Sequence, residues 1–157
     1  MEDMSNYEKL YADAQTFYRR LQPILFSPLN EYVHFTSKGF NHIEFKNQRN
    51  RRDNSSQVLR FKLLPTAVKL IDITTTYQEY EETIKEFRIQ TRKKRIHVTK
   101  TVRYWGIIAI IDNRKIKVIV RKVGDGQLHF WSLMPSWITS KRRDSKFFDT
   151  FTNPEEA

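Results

Sequence analysis

The chain has 157 residues, no cysteine, and 28 Lys and Arg against 18 Asp and Glu, a formal net charge of +10 at pH 7. That length suits one domain with its own apolar core, and the missing cysteines exclude a disulfide framework or a thiolate zinc site. The opening "MEDMSNYEKLY" lacks the basic and apolar regions of a secretory signal, and no apolar run approaches the roughly 18 to 20 residues of a membrane span, so a soluble cytoplasmic protein is expected.

Positive charge of this size attracts polyanions, nucleic acid or anionic membrane. Its distribution is uneven: "FRIQTRKKRIHVTKTVR" (87–103) contains no acid, "KNQRNRR" and "SKRR" add smaller basic clusters, and acids gather near the N-terminus and in "YQEYEE". A polarised molecule follows.

Ser5 and Glu8 have capping-box spacing, and Tyr7, Leu10, Tyr11, Ala14, Phe17, Tyr18 and Leu21 recur at helical intervals until Pro23, predicting a helix over about 6–22. "EYVHFT" is too short and β-branched to be helical and reads as an extended entry to "SKGFNHIEFK", a turn or short helix. "KNQRNRRDNSS" reads as an exposed, mobile loop. Helical spacing resumes from Ser56 to about Asp72, with a break or kink expected at Pro65. After "TTTYQEYEE" the pattern turns to strands: "TIKEFRI", "RIHVTKTVRYWGIIAII", "KIKVIVRKV" and "QLHFWSLM". Helices followed by antiparallel strands make an α+β fold in one domain, 1–157, ending in a basic then polar tail after about Trp137.

Turn residues then set which side chains share a sheet face. A two-residue loop at Asp112 and Asn113, and another at "DG" or "GD" near 125, put Tyr104, Ile108, Ile110, Lys115, Lys117, Arg121, Phe130 and Ser132 together. The opposite, core face takes Trp105, Ile107, Ile111, Ile116, Val118, Val120, His129, Trp131 and Leu133. A three-residue second loop would reverse the last strand.

His34 and His42 are the first candidates for chemistry, because an imidazole with pKa near 6.5 suits both proton transfers of metal-free RNA cleavage. An ordinary hydrogen-bonded histidine is the alternative for each. Their spacing matches no common metal-ligand pattern, and neither a metal nor another cofactor is expected. Arg60, Lys62, Lys117 and Arg121 are candidate phosphate contacts, with a solvated face as the alternative; Arg121 stands out because the hairpin argument sets it beside the hydroxyls of Tyr104 and Ser132. Phe40 and Tyr104 are candidate base-stacking residues, while Trp105 and Trp131 read as core. The "RKKR" run is either an RNA contact or a charged edge that discourages sheet pairing.

"VHFTSKGFNHI", the helix around "LRFKLLPTAVKLI" and the hairpin "YWGIIAIIDNRKIKVIVRKVGDGQLHFWSLMPSW", in that order, resemble small bacterial and phage proteins grouped with the barnase, EndoU, colicin and RelE superfold of ribonuclease toxins. The resemblance covers about 30–137 and leaves out the helical extension 1–29 and the tail 138–157. It implies N-terminal helices packed on a four- or five-stranded antiparallel sheet. It also implies metal-independent endonucleolytic cleavage of RNA to a 2′,3′-cyclic phosphate, often within a toxin system neutralised by a protein antitoxin. Carried onto this chain, it makes His34 and His42 the acid/base pair, Arg60 and Arg121 phosphate clamps, and Thr36 with Ser132 polar positioners. Lys122, next to Arg121, is a further cation that reaches the site if the strand bulges.

Two readings from other classes stay open. One is a noncatalytic RNA- or ribosome-binding module using the same basic face. The other is an interaction protein of phage defence or counter-defence, with 46–56 as its partner surface.

Overall fold

The computed structural model describes residues 2–137, and the expected tail lies outside them. Long antiparallel strands organise the molecule. β3 (Glu79–Gln90), β4 (Arg95–Ile111), β5 (Arg114–Val123) and β6 (His129–Trp137) form one four-stranded sheet in the order β3-β4-β5-β6. Ahead of them come α1 (Glu2–Arg19), a small hairpin of β1 (Ile24–Phe26) and β2 (Glu31–Val33), α2 (Ser37–Glu44) and α3 (Asn54–Ile73). The α+β class and the antiparallel sheet with N-terminal helices are as expected. Among the described residues no helix is long and apolar enough to cross a membrane.

Helix α1 starts upstream of Ser5 and stops at Arg19, earlier than the predicted end. Two turn bonds, Arg20 N–H to Phe17 O and Leu21 N–H to Tyr18 O, close it before Pro23, whose ring disfavours helical backbone at the residue before it. Helix α3 runs through Pro65 without the break that was one of the two expectations there. Pro65 removes one backbone donor but sits on the exposed side, while Phe61, Leu64, Ala67, Val68 and Ile71 bury the other side and hold the helix together. Its start is set by Asp53, whose side chain accepts from Ser56 N–H at 2.7 Å.

The core between helices and sheet is strongly aromatic. Tyr11 meets Phe40 and Phe61 edge-on, Phe40 stacks on Phe61, and Tyr18 contacts Phe35, Phe40 and Phe130. Helix α1 is latched to α3 at its polar end, where Tyr7 Oη donates to Gln57 Oε1 at 2.6 Å. The segment read as a mobile loop is closed by its own bonds. Arg49 and Asn50 N–H donate to Asn47 Oδ1 at 2.9 and 3.1 Å, Lys46 N–H to Asn50 O at 2.8 Å and Arg52 N–H to Glu44 O at 2.8 Å.

The first hairpin turns as predicted, with Ile111 opposite Arg114 and positive φ at Asp112 and Asn113. The β5–β6 connection does not: it spans 124–128 rather than two residues. The register then shifts, with Ser132 opposite Ile119 but Phe130 opposite Val120, so Trp131 is the extra residue of a β-bulge. This corrects three assignments. Phe130 joins the helix-side core, Trp131 packs on the other face with Val102, Tyr104 and Ile119, and His129 lies opposite Arg121. Ile111, expected in the core, is exposed at the hairpin end.

Beyond the reach of β5, β3 and β4 continue as a pair. Residues 95–101 of β4 pair with 84–90 of β3, with one further bond from Gly124 N–H to Thr101 O at 2.8 Å, making a two-stranded arm closed by the loop 91–94.

Candidate functional site: a basic cleft floored by His42, Trp131 and Arg121

Two sheet faces compete for burial, and the chain fills both. On the face away from the main core, Tyr104, Ile119 and Trp131 form a second apolar cluster, with Phe87 of β3 packed against it. Helix α2 reaches the same place because its backbone is tied to β6. His34 N–H donates to Leu128 O and Phe130 N–H to His34 O, both at 2.9 Å, which docks the chain entering α2 beside the bulge. Gly39 permits the closest approach: a Cβ there would lie 2.5 Å from Phe130 O and 2.7 Å from Tyr18 Oη.

This docking sets His42 on Trp131, ring centroids 4.5 Å apart and 20° from parallel. The Arg121 guanidinium carbon lies 4.0 Å from the same indole centroid and 5.9 Å from that of Tyr104. His42 is 6% exposed and Arg121 3%. At the end of α2, Arg52 Nε donates to His42 O at 3.1 Å, placing a cation where the helix leaves carbonyls unsatisfied.

Above this floor opens a cleft of about 1020 Å³ between the α2 end with its following turn and the arm. Lys38, Lys46, Arg49, Lys85, Arg88 and Arg121 line it, against the single acid Glu86. Glu86 Oε1 meets His97 Nδ1 across the strands. Cations around a groove with an aromatic floor raise the local concentration of an anionic strand and bind its phosphates.

The sequence-predicted residues divide sharply. His42 and Arg121 meet at Trp131. His34 contributes its backbone to β6 but does not line the cleft. Thr36 is the N-cap residue of α2 and makes no side-chain cap bond; its Oγ1 is buried without a hydrogen bond, and its carbonyl accepts from Tyr18 Oη. Ser132 is buried opposite Ile119, and Tyr104 lies beneath Arg121 in the second cluster. None of these three lines the cleft.

Arg60 is buried on α3 and donates to Ser56 Oγ. Burial, and then the neighbouring Arg52 cation, bring its pKa down to about 10. It too is away from the cleft, as is the exposed Lys62. Lys117, 1% exposed, donates to Glu79 Oε2 at 2.8 Å. Burial lowers its pKa, opposed by that carboxylate, so the pair reads as the neutralisation of a buried ammonium rather than as a phosphate contact. Gly106 makes room for the pair: a Cβ there would stand 3.2 Å from Glu79 Cβ and 3.9 Å from Lys117 Cδ. Lys122 holds both carboxylate oxygens of Glu31, at 3.0 and 3.1 Å, linking β5 to β2. Phe40 is core, stacked on Phe61, and so is not available to a base.

Sequence reasoning missed Trp131, assigned to the core face, and the lining cations Lys38, Lys46, Arg49, Lys85 and Arg88. The basic cluster 46–52 was the available signal; nothing local marks Lys85. His129 also comes to the site, 6.3 Å from Trp131 and edge-on, with Nδ1 3.0 Å from Gln127 O. A neutral ring makes that bond with Nδ1–H as donor, which places the basic electron pair on Nε2. Nε2 is buried, so His129 supports the indole rather than facing the cleft. No family model, no curated protein and no solved structure matches the chain.

Proposed function

We propose that this chain is a metal-independent endoribonuclease of the toxin type, holding RNA in the basic cleft and cleaving it beside His42. The observation that carries this reading is the meeting of His42 and Arg121 on one indole ring, beneath a cleft whose charged lining is six cations against one acid. In the reaction the ribose 2′-oxygen bonds to phosphorus, its proton passes to a base, and the 5′-oxygen leaves after taking a proton, giving a 2′,3′-cyclic phosphate and a 5′-hydroxyl. His42 serves one of these proton transfers. Arg121, held by its stack on Trp131, stabilises the charge that grows on the phosphate oxygens.

A second reading, an RNA-binding module without turnover, is favoured by one observation: His34, the expected partner of His42, does not line the cleft. Incubation with tRNA and a labelled mRNA in excess EDTA, with product ends mapped, separates the two. The ribonuclease gives discrete fragments ending in cyclic phosphate. His42→Ala lowers their rate by at least about a hundredfold while leaving RNA binding in place, and Arg121→Ala slows cleavage more than it weakens binding. RNA that binds but stays intact with the wild-type protein selects the binding module.

A further inference from the structure

The two-stranded arm is long and, beyond Glu86, carries charge of one sign only. From Phe87 to Ile111 the chain has no acid, while Arg88, Arg92, Lys93, Lys94, Arg95, Lys100 and Arg103 are all exposed. The acids of β3, Glu79, Glu81, Glu82 and Glu86, lie toward the base of the arm, so the positive potential grows toward its tip. At roughly 3.3 Å per strand residue, the stretch 95–101 reaches roughly 20 Å past the end of β5.

Charged residues on an edge can serve only to prevent sheet pairing. Three observations go further. The tip loop and the first residue of β4 present Arg92, Lys93, Lys94 and Arg95 consecutively, more cations than blocking an edge requires. The loop is also held in shape: Thr91 N–H and Oγ1 donate to Lys94 O, at 2.9 and 2.8 Å, and Lys94 N–H to Thr91 Oγ1 at 3.2 Å. Finally, the charge is continuous with the cleft. Lys85 and Arg88 belong both to the arm and to the cleft lining, and Lys85, opposite Lys100, is on the sheet face that carries Arg121.

We propose that the arm is a phosphate-gripping finger, which takes the part of a single RNA strand that emerges from the cleft. The substrate class is therefore an extended single strand held without base readout, rather than a short oligonucleotide confined to the cleft. This rests on the reading of the cleft as an RNA site, and it concerns where the strand goes next.

The test compares the wild-type protein with a variant carrying Arg92→Ala, Lys93→Ala, Lys94→Ala and Arg95→Ala. The probes are a long unstructured RNA, an oligoribonucleotide short enough to fill only the cleft, and vesicles containing an anionic phospholipid. The turn bonds use the backbone of Lys94, so the variant keeps the wild-type melting temperature. Its affinity for the long RNA falls at least about tenfold, and the slope of log K against log salt drops by about 2 to 3, at about 0.7 per phosphate released. Affinity for the short probe, and its cleavage, stay as in wild type.

Equal loss on short and long probes, or none on either, overturns the finger. Loss of vesicle binding with unchanged RNA binding overturns it in favour of a membrane contact. A wild-type protein that binds no RNA overturns the cleft reading and the finger with it, whereas one that binds RNA without cutting it overturns catalysis alone and leaves the slope to decide the finger.

Discussion

A single methyl group tests how α2 is seated. Gly39 lies against Phe130 O, Phe130 Cδ2 and Tyr18 Oη, and two of those contacts belong to rings locked in the aromatic core. Gly39→Ala therefore has no flexible chain end to displace and destabilises the protein by about 1–3 kcal/mol, read as a lowered urea midpoint. Since α2 also carries His42, the same substitution loosens the stack on Trp131. An unchanged midpoint would mean that α2 can shift as a unit. The residue scale also separates cations that were alike in the sequence. Arg121 sits over an indole at the cleft floor, whereas Lys117 and Lys122 are consumed by Glu79 and Glu31. Residue type alone could not divide them, because the carboxylates lie 38 and 91 positions away in the chain.

Elements were legible where their signals are local. The type and order of α1, α3 and the four long strands follow from periodicity, whereas the pattern at α2 allows a turn as well as a short helix; the Asp112–Asn113 turn follows from the tolerance of both residues for positive φ. The start of α3 was legible only approximately, though its cap is a local device. The bonds from Ser56 N–H and then Ser55 Oγ hold the Asp53 carboxyl below its usual pKa. A carboxylate whose folded pKa is depressed adds stability above the unfolded value and loses it as pH falls through the folded one. Asp53→Ala accordingly lowers the melting temperature at neutral pH. The difference from wild type closes as pH falls below about 4, the range in which an unfolded aspartate takes up its proton. A gap that persisted in strong acid would assign the effect to packing instead. The bulge at Trp131 was not legible, since a longer β5–β6 loop and an extra residue in β6 leave the hydrophobic pattern almost unaltered.

Among the described residues of the sheet, charge is segregated: the acids of β3 lie toward the base of the arm, and cations collect at the cleft and the arm tip. RNA binding should be dominated by counterion release, so raising salt from about 50 to about 200 mM weakens it by roughly a hundredfold or more. A flat salt response would mean that base contacts, rather than phosphate contacts, carry the binding.

Composition and periodicity determined the α+β class, the helix-then-strand order, the aromatic core of α1 and the polarity of charge, because each is a property of neighbours in the chain. Imidazole chemistry named His34 and His42 alike, and the hairpin argument raised Arg121 above Arg60, Lys62 and Lys117. Tertiary structure alone decided that His42 and Arg121 meet, that His34 and Arg60 stand apart from them, and that Lys85 and Arg88 line one cleft with the turn after α2. Those outcomes depend on a one-residue bulge and on the docking of the chain entering α2 beside β6. A shift of one residue turns every side chain beyond it to the other face of a strand, and no local propensity records where that shift occurs.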